Sequence, residues 1–219
     1  MKKWAENDTY INNNLIKEDA ILNDAWKSYT ETSMEDCAVS ATQGKFLYLI
    51  AKIKSAKRIL ELGTFCGYST IWLARAVPDD GVVVSIENDD KHAYIAQRNI
   101  ENAGLTGNVN VLCGDAVDLL NKLVSDKEEP FDMIFFDAHK PDYYKYLELS
   151  LKLSKSGTVI IGDNVVRNGE LCNANSTDPK VNGVREFIEG LGKFNEVEST
   201  ALQTVGIKGY DGFSLSIVK

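Results

Sequence analysis

Apolar and polar positions divide the chain into strand-sized and helix-sized pieces that alternate. Short apolar runs stand at Ile59, Leu60 and Leu62, at Val82 to Ile86, at Val109 to Leu112, at Phe131 to Phe136 and at Thr158 to Ile161. Between them, stretches such as Ser69 to Ala76 and Lys91 to Ala103 repeat apolar residues at helical spacing. That succession predicts a mainly parallel sheet with right-handed crossovers. The rhythm breaks at the end of the chain, where Glu196 to Ala201 and Phe213 to Val218 are strand-like and joined only by a loop holding Gly206, Gly209 and Gly212. Without a helix between them, those strands are expected to be antiparallel. The predicted fold is α/β: a doubly wound, Rossmann-like, mainly parallel sheet with an antiparallel C-terminal strand.

Ahead of the sheet, Ile11, Leu15, Ile16, Ala20, Ile21, Leu22, Ala25 and Trp26 recur near helical spacing. They predict one or two amphipathic helices between Tyr10 and Tyr29, packed on the sheet and placed to cover a ligand or support a dimer. A further helix over Lys45 to Ile50 follows Val39-Ser40-Ala41-Thr42-Gln43-Gly44, with Thr42 as its N-cap. The expected organisation is a single domain, residues 1–219, with a helical layer at 1–55 ahead of an α/β core at 56–219. Val165 to Asn182, rich in Asn, Gly, Ser and Asp, is the least regular piece and reads as a substrate-facing loop.

The chemistry concentrates where strands end. Arg58 to Leu62 runs into Gly63-Thr64-Phe65-Cys66-Gly67-Tyr68-Ser69 and then into a helix. Gly63 and Gly67 permit positive φ and close ligand approach, and the turn offers free N–H groups at a helix start. A dinucleotide fingerprint would need glycine at Phe65, and a Walker loop would need Gly-Lys-Ser/Thr at Gly67-Tyr68-Ser69. Neither occurs. Glu87, about 24 residues beyond Gly63 at the end of the second strand, is placed to accept ribose hydroxyl protons. Asp115, after the third strand, is open to two compatible roles, acceptor for an adenine amino group and helix N-cap. The fourth and fifth strands deliver Asp137-Ala138-His139-Lys140 and Asp163-Asn164, hard oxygen donors that suit Mg²⁺ or a similar divalent ion.

Composition narrows the partners. A net charge of −8 argues against a broad nucleic-acid footprint, which needs a basic face. No stretch approaches the roughly 18 apolar residues of a membrane span, and Glu6, Asn7 and Asp8 interrupt any signal-peptide core. The four cysteines form no C-x-x-C pair, so a thiolate zinc site is not expected and reduced thiols fit a cytoplasmic protein.

Glu61-Leu62-Gly63 with Cys66-Gly67-Tyr68-Ser69 resembles the first motif of the class I S-adenosylmethionine (SAM) methyltransferases. Together with Glu87, Gly114-Asp115-Ala116, Asp137-x-x-Lys140 and Asp163-Asn164, the sequence from about Val39 onward resembles the metal-dependent O-methyltransferases that include the catechol and caffeoyl-coenzyme A enzymes, most closely small bacterial members. The resemblance implies that Val39, Glu61, Gly63 and Ser69 line the methionine end of SAM, that Glu87 holds the ribose, and that Asp115 and Ala116 hold the adenine. It implies a divalent metal, Mg²⁺ or else Ca²⁺ or Mn²⁺, on Asp137, Asp163 and Asn164, with Asp137 also bordering the cofactor. Lys140 would be the general base, made a better one by the nearby cation, and a homodimer is expected. His139 stands where plant members have Asp, and Arg167 near their tryptophan; both touch the substrate side. His139 is also a weaker candidate for base or extra ligand. The substrate implied is a small catechol-like phenol. Competing readings are a tRNA hydroxyuridine O-methyltransferase, opposed by the acidic balance, and a cofactor-binding protein without turnover, opposed by the intact Lys140 and metal set. An adenine N-methyltransferase would need a Pro-Pro-aromatic run where Ala138-His139-Lys140 stands.

Overall fold

The computed structural model describes residues 2–219. Strands β1 (Arg58–Leu62), β2 (Val82–Glu87), β3 (Val109–Cys113), β4 (Phe131–Phe136), β5 (Ser154–Asp163), β6 (Val197–Gly206) and β7 (Gly209–Val218) form one sheet in the order β3-β2-β1-β4-β5-β7-β6. β1 to β5 are parallel, and β7 runs antiparallel to both β5 and β6. Helices α1 (Lys2–Leu15), α2 (Ala20–Lys27) and α3 (Ala41–Lys54) precede the sheet; α4 (Tyr68–Ala74), α5 (Asp90–Asn102), α6 (Ala116–Ser125), α7 (Tyr143–Lys152) and α8 (Pro179–Lys193) connect its strands. Among the described residues no helix is long and apolar enough to cross a membrane.

The central strands are apolar without interruption because both faces are covered, as parallel sheets require. Leu60 and Leu62 join Ile134 and Phe136 in a core beneath α6, α7 and α8, while Ile59 joins Met133 and Phe135 beneath α3, α4 and α5. Glu61, one residue from each of its neighbours in β1, therefore points to the α4 side, where nothing but buried side chains surrounds it. Leu62 lies opposite Ile86 on one side and Phe136 on the other, and Phe136 lies opposite Gly162. The register thus brings the ends of β1, β2, β4 and β5 to one edge. The strand order reverses between β1 and β4, and such a switch point opens a crevice at the carboxyl edge.

Two local expectations are corrected. The N-cap of α3 is Ser40, still extended at φ −67° and ψ 160°, with its Oγ accepting from the Gln43 N–H; Thr42 already lies inside the helix. The C-terminal strands are longer than their hydrophobic pattern indicates. Pairing continues to Gly206 opposite Gly209, leaving Ile207 and Lys208 as the turn, and Gly212 lies inside β7 opposite Gln203. β6 is exposed along nearly its whole length, so an edge strand solvated on both faces has no reason to alternate.

Candidate active site

The turn after β1 is fixed by backbone geometry and a buried acid. Gly63 and Gly67 adopt φ of +97° and +82°, a region that side chains disfavour. A Cβ on Gly63 would also fall 2.1 Å from the Asp137 carbonyl oxygen, so glycine is required by the end of β4 as well as by any ligand. Beneath the turn Glu61 is fully buried. Its carboxylate accepts from Ser69 Oγ at 2.6 Å, Thr70 Oγ1 at 2.5 Å and Ser85 Oγ at 2.6 Å. Burial pushes its pKa up to about 7, against the pull of those hydroxyls.

Above the turn lies a cavity of about 490 Å³, bordered by Val39, Gly63, Ser69, Glu87, Ala116, Asp137, Lys140 and Asn164 among the residues expected at a site. Glu61, Asp115 and Asp163 do not border it. Glu61 instead holds Ser69, which does. Asp115 is the N-cap of α6, accepting from the Asp118 N–H at 3.0 Å. Glu87 is more constrained than a free strand-end acid. One of its oxygens accepts from the Thr64 and Phe65 N–H groups at 3.2 and 2.7 Å, the other from Asn88 and Asp89 at 3.0 and 3.1 Å. The layer ahead of the sheet contributes to the wall through Met34 and Cys37 to Val39, not through the helices themselves.

At the far end, β4 and β5 set a charged cluster. Lys140, buried in the short turn after β4, donates from Nζ to Asp137 Oδ1 at 2.8 Å and to the Tyr143 hydroxyl at 2.7 Å. Tyr143 donates onward to the Phe136 carbonyl at 2.8 Å. Its phenol is fully buried, which raises its pKa well above the usual value and keeps it neutral. Asp163 is buried too, and its carboxyl is held well above the ordinary carboxylate range, first by burial and then by the negative charge of Asp137. It accepts from the Asn164 N–H at 2.8 Å and borders a second cavity of about 320 Å³ with Gln43 and Asn164.

Two neighbouring carboxylates and an amide, all hard oxygen donors, fit a divalent cation, and the unfavourable charge on Asp163 is what such an ion would relieve. Among the described residues there is no group of three or more His, Cys, Asp or Glu side chains suited to a metal; a set built on Asp137 and Asp163 would draw its third donor from a neutral oxygen such as that of Asn164. The segment behind it is strained. Asn164, Arg167 and Asn168 all have φ between 53° and 56°, a conformation that persists in a non-glycine residue only when its surroundings enforce it. Asp211 braces it at Arg167, with Oδ1 accepting from the Val166 and Arg167 N–H groups at 2.9 and 3.0 Å.

Comparison with known proteins decides the family, because the O-methyltransferase profile matches residues 12–216. The chain belongs to the O-methyltransferase family. It is 50% identical over 212 residues to the catechol O-methyltransferase of Niastella koreensis, covering 97% of this chain and 96% of that one. An O-methyltransferase from Bacillus cereus solved with SAH superposes with a TM-score of 0.97 at 48% identity, covering 100% of this chain and 99% of the other. An O-methyltransferase of Streptomyces achromogenes involved in tomaymycin synthesis, solved with SAM, gives a TM-score of 0.97 at 45% identity with 100% and 98% coverage. The O-methyltransferase therefore has the class I methyltransferase sheet and is a SAM-dependent enzyme. Three of its site residues escape a reading of the sequence. Tyr143 stands among tyrosines that pack in the core, Gln43 is one polar residue of a helix, and Asp211 lies in a glycine-rich stretch; only the fold brings them to Lys140, Asp163 and Arg167.

Proposed function

We propose that this O-methyltransferase methylates one hydroxyl of a small vicinal diphenol, with a divalent cation on Asp137, Asp163 and Asn164 and with Lys140 as the proton acceptor. The observation that carries the reading is Lys140 Nζ, buried and held between Asp137 and Tyr143 in the cavity that the Gly63 turn also borders. A bound Mg²⁺, or Ca²⁺ or Mn²⁺ in its place, would supply Lewis acidity and align two adjacent oxygens. The chain's own residues do the rest. Val39, Gly63 and Ser69 bound the space for the methionine end of SAM, Ala116 flanks the adenine with Asp115 next to it as the N-cap of α6, and Glu87, braced by four amides, presents a rigid carboxylate to the ribose. Glu61 acts through Ser69. The acceptor oxygen attacks the methyl carbon as the carbon–sulfur bond breaks, the sulfonium becomes a neutral thioether, and the phenolic proton passes to Lys140 Nζ, which takes it as the neutral amine after its own proton has left to solvent. Holding donor and acceptor in line is worth several kcal/mol, with ~7–11 kcal/mol as a ceiling.

A small-molecule acceptor suits the net charge of −8 better than nucleic acid does, and four free thiols suit the reducing cytoplasm. A homodimer is part of the same reading. Tyr10, Ile11 and Leu15 on α1 and Leu202, Val205 and Ile207 on the β6–β7 hairpin are exposed, and α1 meets that hairpin where the Ile207 N–H donates to Asp8 Oδ2 at 2.7 Å. Sedimentation that finds only single copies at micromolar concentration would remove the dimer.

The enzymatic reading is tested with labelled SAM, catechol and a chelator. Chelated enzyme should bind SAH by calorimetry and fail to methylate, with Mg²⁺ restoring turnover; Asp163→Ala should bind SAH and stay inactive when Mg²⁺ is added. Full turnover under chelation overturns the metal assignment, and failure of every vicinal diphenol overturns the substrate class.

A further inference from the structure

The acceptor end of the cavity carries two cations that no protein group answers. Arg167 and Lys180 both border the cavity with Lys140 and Asn164. Neither enters an ion pair among the described residues, whereas three of the other four arginines, Arg58, Arg75 and Arg98, do. Arg167 Nε is sealed from solvent and has no hydrogen-bond partner, and leaving a buried donor unsatisfied costs about 1–3 kcal/mol.

Both side chains are carried by fixed backbone. Arg167 sits at φ 53° with its N–H on Asp211. Lys180 lies in the first turn of α8, which packs so closely on the turn after β4 that a Cβ on Gly183 would fall 2.5 Å from the Lys140 carbonyl oxygen. The acids of this wall and its flanks are engaged elsewhere: Asp137 pairs with Lys140 at 2.8 Å, and Asp211 accepts from the Val166 and Arg167 N–H groups at 2.9 and 3.0 Å. Asp142 pairs with His139 at 2.8 Å, Asp178 caps α8 through the Lys180 N–H at 2.8 Å, and Glu170 accepts from Asn173 at 2.8 Å.

We propose that Arg167, assisted by Lys180, binds a carboxylate carried by the methyl acceptor, so that the preferred substrate is an aromatic vicinal diphenol with a short acidic arm. This deepens the methyl-transfer reading above and rests on it. A guanidinium fork matches a planar carboxylate bidentately, and with Nε sealed it is the two terminal Nη atoms of Arg167 that would form that fork.

The experiment compares kcat/KM for 3,4-dihydroxybenzoate, its methyl ester, catechol and a caffeoyl-coenzyme A thioester, using wild type, Arg167→Met, Arg167→Lys and Lys180→Met, each checked for SAH binding by calorimetry. Wild type should favour the acid over its ester by ~10-fold or more, the scale of a hydrogen bond to a charged group. Arg167→Met should erase that preference mainly through KM, Arg167→Lys should keep part of it, and Lys180→Met should reduce it by a smaller factor. Equal efficiency for acid and ester in wild type overturns the proposal while leaving methyl transfer standing. So does a preference for the thioester that Arg167→Met removes, which would place the bound anion on a conjugate. Absence of turnover with all four acceptors overturns the underlying reading, and this inference with it.

Discussion

Two buried carboxylates, Glu61 beneath the glycine turn and Asp163 at the end of β5, are both pushed far above the usual range by burial, yet their surroundings differ in kind. Glu61 has three hydroxyls on its two oxygens, and its network is closed. Asp163 faces a second carboxylate, Asp137, which raises its pKa further, and its main compensation is Lys140. A closed polar network rigidifies. An open one, with like charges and one cation, is where a ligand or a proton has something to do. The first region holds the shape of the turn, and the second is where the proposed reading puts the chemistry.

Breaking the open region should give the largest effect. Lys140→Ala should lower kcat toward a catechol at neutral pH by ~10²-fold or more, the scale of a lost general base. Raising the pH should return part of that loss, since more acceptor ionises without help. A variant that keeps wild-type kcat below the acceptor's pKa would show that Lys140 is a structural cation only.

Next in size is the closed region, read through stability. Below the ordinary glutamate pKa of 4.5 Glu61 is protonated whether the chain is folded or not. Above it the unfolded chain ionises while the folded one resists until about 7. Stability is therefore lost as pH rises through that window, by about 3 kcal/mol at most, and the deficit persists above it. Glu61→Gln should be more stable than wild type at pH 8 by a margin that shrinks toward pH 5, aside from a constant offset of about 1 kcal/mol for altered hydrogen bonds. Urea denaturation across that range would show it; a pH-independent difference would mean that Glu61 does not titrate there.

The same contrast explains what the sequence discloses. Strand ends are legible because a parallel sheet needs apolar runs and because Gly63, Glu87, Asp137 and Asp163 follow those runs directly. Local polar competition is less legible: Ser40, not Thr42, caps α3, and that choice depends on which residue is still extended. The length of β6 is hidden because its solvated faces impose no period. Arg167 is visible as a residue but not as an unanswered charge, since that depends on Asp142, Asp178 and Glu170 having found other partners. Glu87 is visible as an acid at the right place, and the four amides that brace it emerge only when the turn after β1 folds over it.

The smallest effect distinguishes a positioning residue from core packing. Tyr143 accepts from Lys140 at 2.7 Å and donates to the Phe136 carbonyl at 2.8 Å, so its hydroxyl fixes where Nζ stands relative to Asp137. Tyr143→Phe keeps the ring and its edge contacts with Phe136 and Phe187 while removing that fixed oxygen, which should reduce stability by about 1–3 kcal/mol through unsatisfied buried groups. Lost packing alone would leave the pH profile of kcat in place. Loss of the oxygen that orients the base should lower kcat by no more than ~10-fold, less than removing the base itself, and should displace the profile. A double-mutant cycle makes the distinction independent of fold damage. If Tyr143 works through Lys140, adding Tyr143→Phe to Lys140→Ala should change kcat by no further measurable factor, because residues in one hydrogen-bonded unit do not add. Full additivity of the two substitutions in kcat would assign Tyr143 to the core and not to the site.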